Sequence, residues 1–156
     1  MSLHRRSAAL SITAFTTSDA FCVDRFRDQF IDLIQNHVDI LFANESEILS
    51  LFQVEDFDEA VRRVRPMCEI AAVTRSEKGS VVLSGDETHV IAAQKVDVVD
   101  TTGAGDAYAA GFLYGYTRGK PLDVCGRLGG ALASEAISHY GARAEADLKQ
   151  LAAGLI

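Results

Sequence analysis

Apolar positions along this chain fall into short blocks, and the spacing within each block points to a strand or a helix. Residues 8–15 are rich in apolar and β-forming side chains, which predicts a strand. From 24 to 36, Phe26, Phe30, Leu33 and Ile34 recur at helical spacing, which predicts an amphipathic helix. The short apolar run 38–42 predicts a buried parallel strand. Asn44 then stands where it can cap a helix through Phe52. Asp56, with Glu59 three residues on, resembles a capping box for a helix ending near Val64. Residues 70–74 predict another buried strand. Runs 80–83 and 88–92, either side of Ser84-Gly85-Asp86-Glu87, predict a hairpin. Residues 95–99 read as a strand, followed by a glycine turn and a long helix after Gly105. Pro121 suits the start of a helix to about Ser138, with Gly141 near its end. Residues 144–153 can form a last short helix. Repeated alternation of strand and helix predicts an α/β domain with a mostly parallel sheet flanked by helices. No repeat, low-complexity tract or linker divides the chain, so 1–156 reads as a single α/β domain.

Composition narrows the function classes. A chain of 156 residues with 48% hydrophobic and 24% charged residues can bury one sizeable core, as a soluble globular domain does. A net charge of −7 without a Lys/Arg cluster argues against nucleic acid as a partner. It leaves ATP open, because local donors and Mg²⁺ govern that binding. Cys22, Cys68 and Cys125 are widely spaced and in no metal-ligand pattern, which reads as reduced thiols of a cytoplasmic protein. His4-Arg5-Arg6 and the apolar residues after it imitate a signal peptide. Ser11 and Thr13 interrupt that run, however, and a buried strand explains it better. No segment is long enough to span a membrane, so a membrane is not an expected partner.

The most informative stretch is Asp100-Thr101-Thr102-Gly103-Ala104-Gly105-Asp106, between the 95–99 run and the long helix. Glycines there let backbone N–H groups converge, and a helix N-terminus favours negative charge beside them. An Asp among such donors repels a phosphate that merely sits there. It makes sense as a base for a hydroxyl attacking phosphorus. The plainer reading is a glycine-rich turn with Asp106 as a helix cap.

The run from Asp100 through Phe112 resembles the C-terminal signature of ribokinase-like (pfkB-type) carbohydrate and nucleoside kinases. That resemblance implies an anion hole from Gly103, Ala104 and Gly105, with Asp106 as the catalytic base. It extends over about residues 8–151 and covers the nucleotide-binding half of the fold. It implies that the substrate and lid half is absent, so that the chain is either a fragment or a truncated gene product. Asn44-Glu45-Ser46-Glu47 resembles the family's Asn-x-x-Glu motif, implying Asn44 near phosphate and Glu47 as an organiser of Mg²⁺ through water. Read alone, the same residues make an Asn cap followed by acids. Thr74-Arg75-Ser76-Glu77-Lys78-Gly79 resembles the nucleotide loop, with Thr74 and Gly79 carried over and Ser76 in place of a glycine. Arg75 and Lys78 are weaker phosphate candidates there. The segment from Gly130 to Ala142 resembles the border of the adenine ring, although Ala and Gly on a helix more often mean close packing. His139 reads as structural or exposed. The family further implies a monovalent cation, K⁺, at Asp100, the backbone near Thr102 and the loop at Gly141. The stretches 17–23 and 39–45 look most like the bacterial adenosine-kinase-like branch.

The leading expectation is therefore an ATP-dependent phosphotransferase acting on an alcohol of a sugar or nucleoside. The alternative is a non-catalytic nucleotide-binding module or inactive remnant, since hydroxyl positioning collapses without the substrate half. A dinucleotide oxidoreductase lacks its third glycine here, and a P-loop enzyme lacks its Gly-Lys-Ser/Thr ending. Loss of the other half would expose apolar surface and favour self-association.

Overall fold

The computed structural model describes residues 11–155. Their strands β1 (Ala14–Thr16), β2 (Ile40–Asn44), β3 (Ile70–Thr74), β4 (Ser80–Ser84) and β5 (Glu87–Ile91) form one sheet in sequential order. β1, β2 and β3 pair in parallel, while β4 pairs antiparallel with both β3 and β5. Four strands therefore share one direction and β4 alone opposes them. The parallel pairs require helical crossovers. These are α1 (Ala20–Arg25) and α2 (Arg27–His37), then α3 (Glu45–Phe52) and α4 (Phe57–Val64). After the hairpin come α5 (Ala104–Tyr116), α6 (Leu122–Ile137) and the short α7 (Leu148–Ala153). Among the described residues, no helix is long and apolar enough to cross a membrane.

The sheet is buried on both faces, which is why its central strands read as solid apolar runs. Strand periodicity still sorts them. Leu41, Ala71, Val73, Val81 and Leu83 pack with Val23, Ile34, Ile48 and Leu51 of α1 to α3. Ile40, Phe42, Ile70, Ala72 and Val82 pack with Tyr108 and Phe112 of α5 and Cys125 of α6. The result is three layers, with α5 and α6 alone on the second face. Those two helices touch backbone to backbone. A Cβ on Gly111 would lie 2.5 Å from the Leu128 carbonyl oxygen, and one on Gly129 would lie 2.9 Å from that of Tyr108. The small residues of this region thus serve close helix packing, while Gly130 faces open space.

Several expected elements shift. The first strand is confined to Ala14–Thr16, and positions 8–10 of the predicted run lie outside the described residues. The predicted helix over 24–36 is two helices broken at Phe26, whose φ of −119° and ψ of 30° leave the helical region. α1 starts earlier than expected because the Asp19 carboxylate accepts the Cys22 N–H at 2.7 Å. At α4, Asp56 accepts the Glu59 N–H, but the Glu59 carboxylate turns to Arg62 and Arg63, so the capping box is half made. The predicted strand at 95–99 does not form. Strand-forming side chains need a neighbouring ladder, and β5 pairs only with β4 among the described strands. Val98 stays 61% exposed, and the run is tied down at its end, where the Val99 and Asp100 N–H groups both donate to the Ile137 carbonyl.

Candidate active site

The glycine turn leads into α5 as the sequence predicts, and Gly103 shows why glycine is required. Its φ is +79°, and a Cβ there would come within 2.7 Å of the Ala142 Cβ. Gly105 differs, since a Cβ there meets nothing within 4 Å. α5 begins at Ala104, without a side-chain cap, and Asp106 stands exposed in its first turn. The expected anion hole needs one correction. The Ala104 N–H donates to the Thr101 carbonyl at 3.2 Å, closing the turn, so it faces inward. The N–H groups of Gly105 and Asp106 precede the first intrahelical bond, which Ala107 donates to the Gly103 carbonyl at 2.9 Å.

Gly103 and Asp106 line an open cavity of about 300 Å³ together with Ala107 and Ala110 of α5 and Leu132, Glu135 and Ala136 of α6. Ala142, Ala144 and Leu148 close its other side. Asn44, Thr74, Glu47 and Gly79 do not line this cavity. Asn44 and Thr74 are register partners at the C-terminal ends of β2 and β3, and Thr74 pairs onward with Ser80. The Tyr108 hydroxyl donates to the Ser80 Oγ at 2.8 Å, and its ring packs edge-on to Phe42. The first turns of α5 therefore sit over the C-terminal strand ends, where open α/β sheets bind ligands. Burial pushes the Tyr108 hydroxyl up to about 12, which keeps it a neutral donor.

Glu47 is buried and makes a full capping box with Asn44. Its Oε2 accepts from the Thr17 hydroxyl and the Asn44 N–H, and its Oε1 accepts from the Asn44 Nδ2. A carboxylate offers about four acceptor positions, and these bonds leave one. That fits a water-bridged contact to Mg²⁺ and does not fit direct coordination. Among the described residues no group of three or more His, Cys, Asp or Glu side chains is placed to hold a metal.

Asp100 draws together the three segments assigned to a monovalent cation. Its Oδ1 accepts the Thr102 hydroxyl at 2.7 Å and N–H at 2.9 Å, and its Oδ2 accepts the Gly141 N–H at 3.1 Å. These bonds, the Thr102 hydroxyl first, hold the carboxyl below the usual carboxylate range. These three donors take three of about four acceptor positions, as at Glu47, and one remains on Oδ2.

The loop after β3 forms a 3₁₀ turn at Ser76–Lys78. Ser76 adopts φ +51°, which explains why a glycine is natural there. A Cβ on Gly79 would come within 1.9 Å of the Ile91 carbonyl oxygen, so Gly79 is needed for packing against β5. Arg75 pairs with Glu45 at 2.8 Å and stacks 3.7 Å above the Phe57 ring, and Lys78 reaches Glu45 at 3.7 Å. Hydrogen bonding from Arg75 holds the Glu45 carboxyl low. Both candidate phosphate-binding cations are thus engaged by Glu45.

Sequence reasoning missed Glu135. Its Oε1 accepts the N–H groups of Glu145 and Ala146 at 2.7 and 2.8 Å and meets the His139 Nε2 at 3.2 Å. Burial works to raise this carboxyl, but those donors outweigh it and hold it below its ordinary value. Burial likewise works against charge on His139, and the Tyr140 carbonyl, Glu135 and Glu145 outweigh it, raising the imidazole. The available signal was the lone acid four residues before His139 on a helix face of Ala, Gly and Ser.

The chain matches the family described as pfkB family carbohydrate kinase over residues 7–149. An uncharacterized sugar kinase of Archaeoglobus fulgidus is 43% identical over 114 residues, covering 72% of this chain and 45% of that protein. The crystal structure of a probable sugar kinase protein from Rhizobium etli CFN 42 superposes with a TM-score of 0.91 at 50% identity, covering 94% of this chain and 46% of that one. The adenosine kinase of Sinorhizobium meliloti gives a TM-score of 0.89 at 48% identity, covering 92% and 44%. The chain thus spans less than half the length of these relatives. With sequence and fold agreeing along nearly all of its length, the chain belongs to the pfkB family of carbohydrate kinases.

Proposed function

We propose that this chain is the nucleotide-binding portion of an ATP-dependent kinase that phosphorylates an alcohol of a sugar or nucleoside. The observation that carries this reading is the exposed Asp106 carboxylate beside the unpaired N–H groups of Gly105 and its own backbone, at the rim of a cavity. Asp106 removes the proton from the acceptor hydroxyl, whose oxygen bonds to the γ-phosphorus as the bond to the ADP oxygen breaks. The N–H groups of Gly105 and Asp106 hold charge on the transferred phosphoryl group, where positioning and electrostatics supply most of the catalysis. Gly103 sets the turn that aims them, and Asn44 and Thr74 mark the strand ends over which the nucleotide lies. Glu47 would hold a water of the Mg²⁺ that accompanies ATP, and that ion would offset phosphate charge. Three widely spaced cysteines in no metal-ligand pattern favour the cytoplasm as its compartment. Exposed Phe21, Val90 and Val98 favour self-association of the isolated chain.

Coverage of less than half of each relative favours a second reading, a nucleotide-binding module that does not turn over by itself. Both readings are tested together by titrating ATP into the 156-residue chain and assaying ATP consumption across sugars and nucleosides. The expected result is ATP binding without acceptor-dependent turnover. In a chain completed to the length of its relatives, turnover appears, and Asp106→Asn lowers it about 10²–10⁴-fold with ATP affinity kept. Failure to bind ATP would remove the nucleotide site. Full turnover by the Asn variant would remove Asp106 as base.

A further inference from the structure

Glu47 is held from two distant parts of the chain. Asn44, three residues before it, donates its backbone N–H to Oε2 and its side-chain amide to Oε1, as the capping box of α3 requires. The Thr17 hydroxyl, just past the end of β1 and 30 residues upstream, also donates to Oε2. Thr17 is 1% exposed, and its own N–H donates to the Phe42 carbonyl at 3.2 Å, which seats it against β2. The hydroxyl lies 3.5 Å from that same carbonyl, too far for a strong bond, so its proton is committed to Glu47.

The turn after Thr17 is strained. The Asp19 N–H donates to the Thr17 carbonyl at 3.1 Å across Ser18, whose φ is +74°. A bond from residue i+2 back to residue i around a positive φ is the form of the rarer γ-turn. Strain of this kind persists only where the surroundings over-determine it. The two oxygens of Glu47 also face different surroundings. Oε2 takes two donors, one of them from buried Thr17, whereas Oε1 takes one, from the exposed Asn44 side chain. Each carboxylate oxygen offers about two acceptor positions. Oε2 is therefore full, and the open position belongs to Oε1, on the solvent side, beside the paired strand ends at Asn44 and Thr74.

We propose that Thr17 is a positioning residue for the divalent ion that accompanies the nucleotide. By filling Oε2, its hydroxyl leaves Glu47 a single open acceptor position, on Oε1, where a water bound to that ion donates. Thr17 touches neither the ion nor the nucleotide. Without its hydroxyl, Oε2 gains a second open position, one of three donors holding the carboxylate is lost, and the outward oxygen is no longer fixed. This role rests on the nucleotide-binding reading and on the water-bridged part given to Glu47 above.

Calorimetric titration of the 156-residue chain with ATP, in Mg²⁺ and in EDTA, gives the tightening due to the ion as a ratio of two dissociation constants. Thr17→Val keeps the shape and removes the donor. It should lower that ratio about tenfold while metal-free ATP affinity stays within about twofold. Thr17→Ser keeps the hydroxyl and should keep the ratio. General damage to the fold weakens both titrations alike and leaves the ratio unchanged. If the Val chain fails to fold, Thr17→Cys, a far weaker donor of similar size, replaces it with the same expectation. A wild-type ratio in a folded Val or Cys chain would overturn the proposal, as would a lowered ratio in the Ser chain. If ATP binds and Mg²⁺ gives the wild type no gain, the roles of Glu47 and Thr17 fail while the nucleotide reading stands. If ATP binds in neither buffer, the nucleotide reading fails first and the role of Thr17 falls with it.

Discussion

Replacing Gly105 by alanine should strengthen the fold and damage the site, whereas the same change at Gly103 should damage both. Gly105 lies in the first turn of α5, and its new methyl meets no atom within 4 Å. Gly→Ala at an unstrained helical position stabilises by about 0.5–1 kcal/mol. For a chain of this size that raises the melting temperature by about 1–4 °C. Helical Cβ atoms tilt toward the N-terminus, so the methyl projects to where an anion would approach the Gly105 and Asp106 N–H groups. Losing one or two hydrogen bonds to a charged group costs about 1.5–3 kcal/mol each, or at least about tenfold in ATP affinity. Gly103→Ala meets the opposite conditions. A φ of +79° costs an alanine about 1–2 kcal/mol, and the methyl contact at 2.7 Å from Ala142 adds to it. Its melting temperature falls by about 2–8 °C. Differential scanning calorimetry with calorimetric ATP titration reads both quantities. A Gly105→Ala chain that melts higher and binds ATP with wild-type affinity would refute the placement of phosphate at this helix start.

Glu47→Ala strands the buried Thr17 hydroxyl and removes the capping box from Asn44, which is itself exposed, and should cost about 1–3 kcal/mol of stability by urea unfolding. A loss under 1 kcal/mol would mean that the box does not hold α3. Glu135 and His139 titrate in opposite senses. The lowered Glu135 contributes fully above its ordinary 4.5 and is lost as pH falls through its folded value, whereas the raised His139 contributes fully below 6.5 and is lost as pH rises through its own. Hydrogen exchange at the Glu145 and Ala146 amides, corrected for intrinsic rate, should be slowest between about pH 4.5 and 6.5, and His139→Gln should abolish the loss on the alkaline side. Protection that keeps rising above pH 7 in the wild type would contradict this.

Much of the fold was legible because its strands are bounded by strong local signals. The hairpin turn at Gly85-Asp86 and the caps at Asn44, Asp56 and Pro121 stand where the chain predicts them. The failures are non-local. Val96, Val98 and Val99 have strand chemistry, but pairing depends on a neighbour that their own sequence does not encode. The break at Phe26 escaped because the apolar spacing continues across it. At the site, the glycine turn and Asp106 were readable because they need particular residue types. The tie from Asp100 to Gly141 and the hold of Glu135 on Glu145 and Ala146 depend on partners 10 to 41 residues away, beyond any local pattern.

The contact of α5 with α6 has a mechanical consequence. Backbone meets backbone at Gly111 and Gly129, and no intervening side chain can change rotamer to let the helices slide. The Asp100 carboxylate fastens the start of one helix to the segment after the other through Gly141. The cavity between them cannot widen by separating its helical walls. The wall left free to adjust is the stretch carrying Ala142, Ala144 and Leu148, which the Glu135 hydrogen bonds tie to α6. The Glu135 carboxylate is therefore the latch of that wall, and losing it would loosen the cavity without touching either helix.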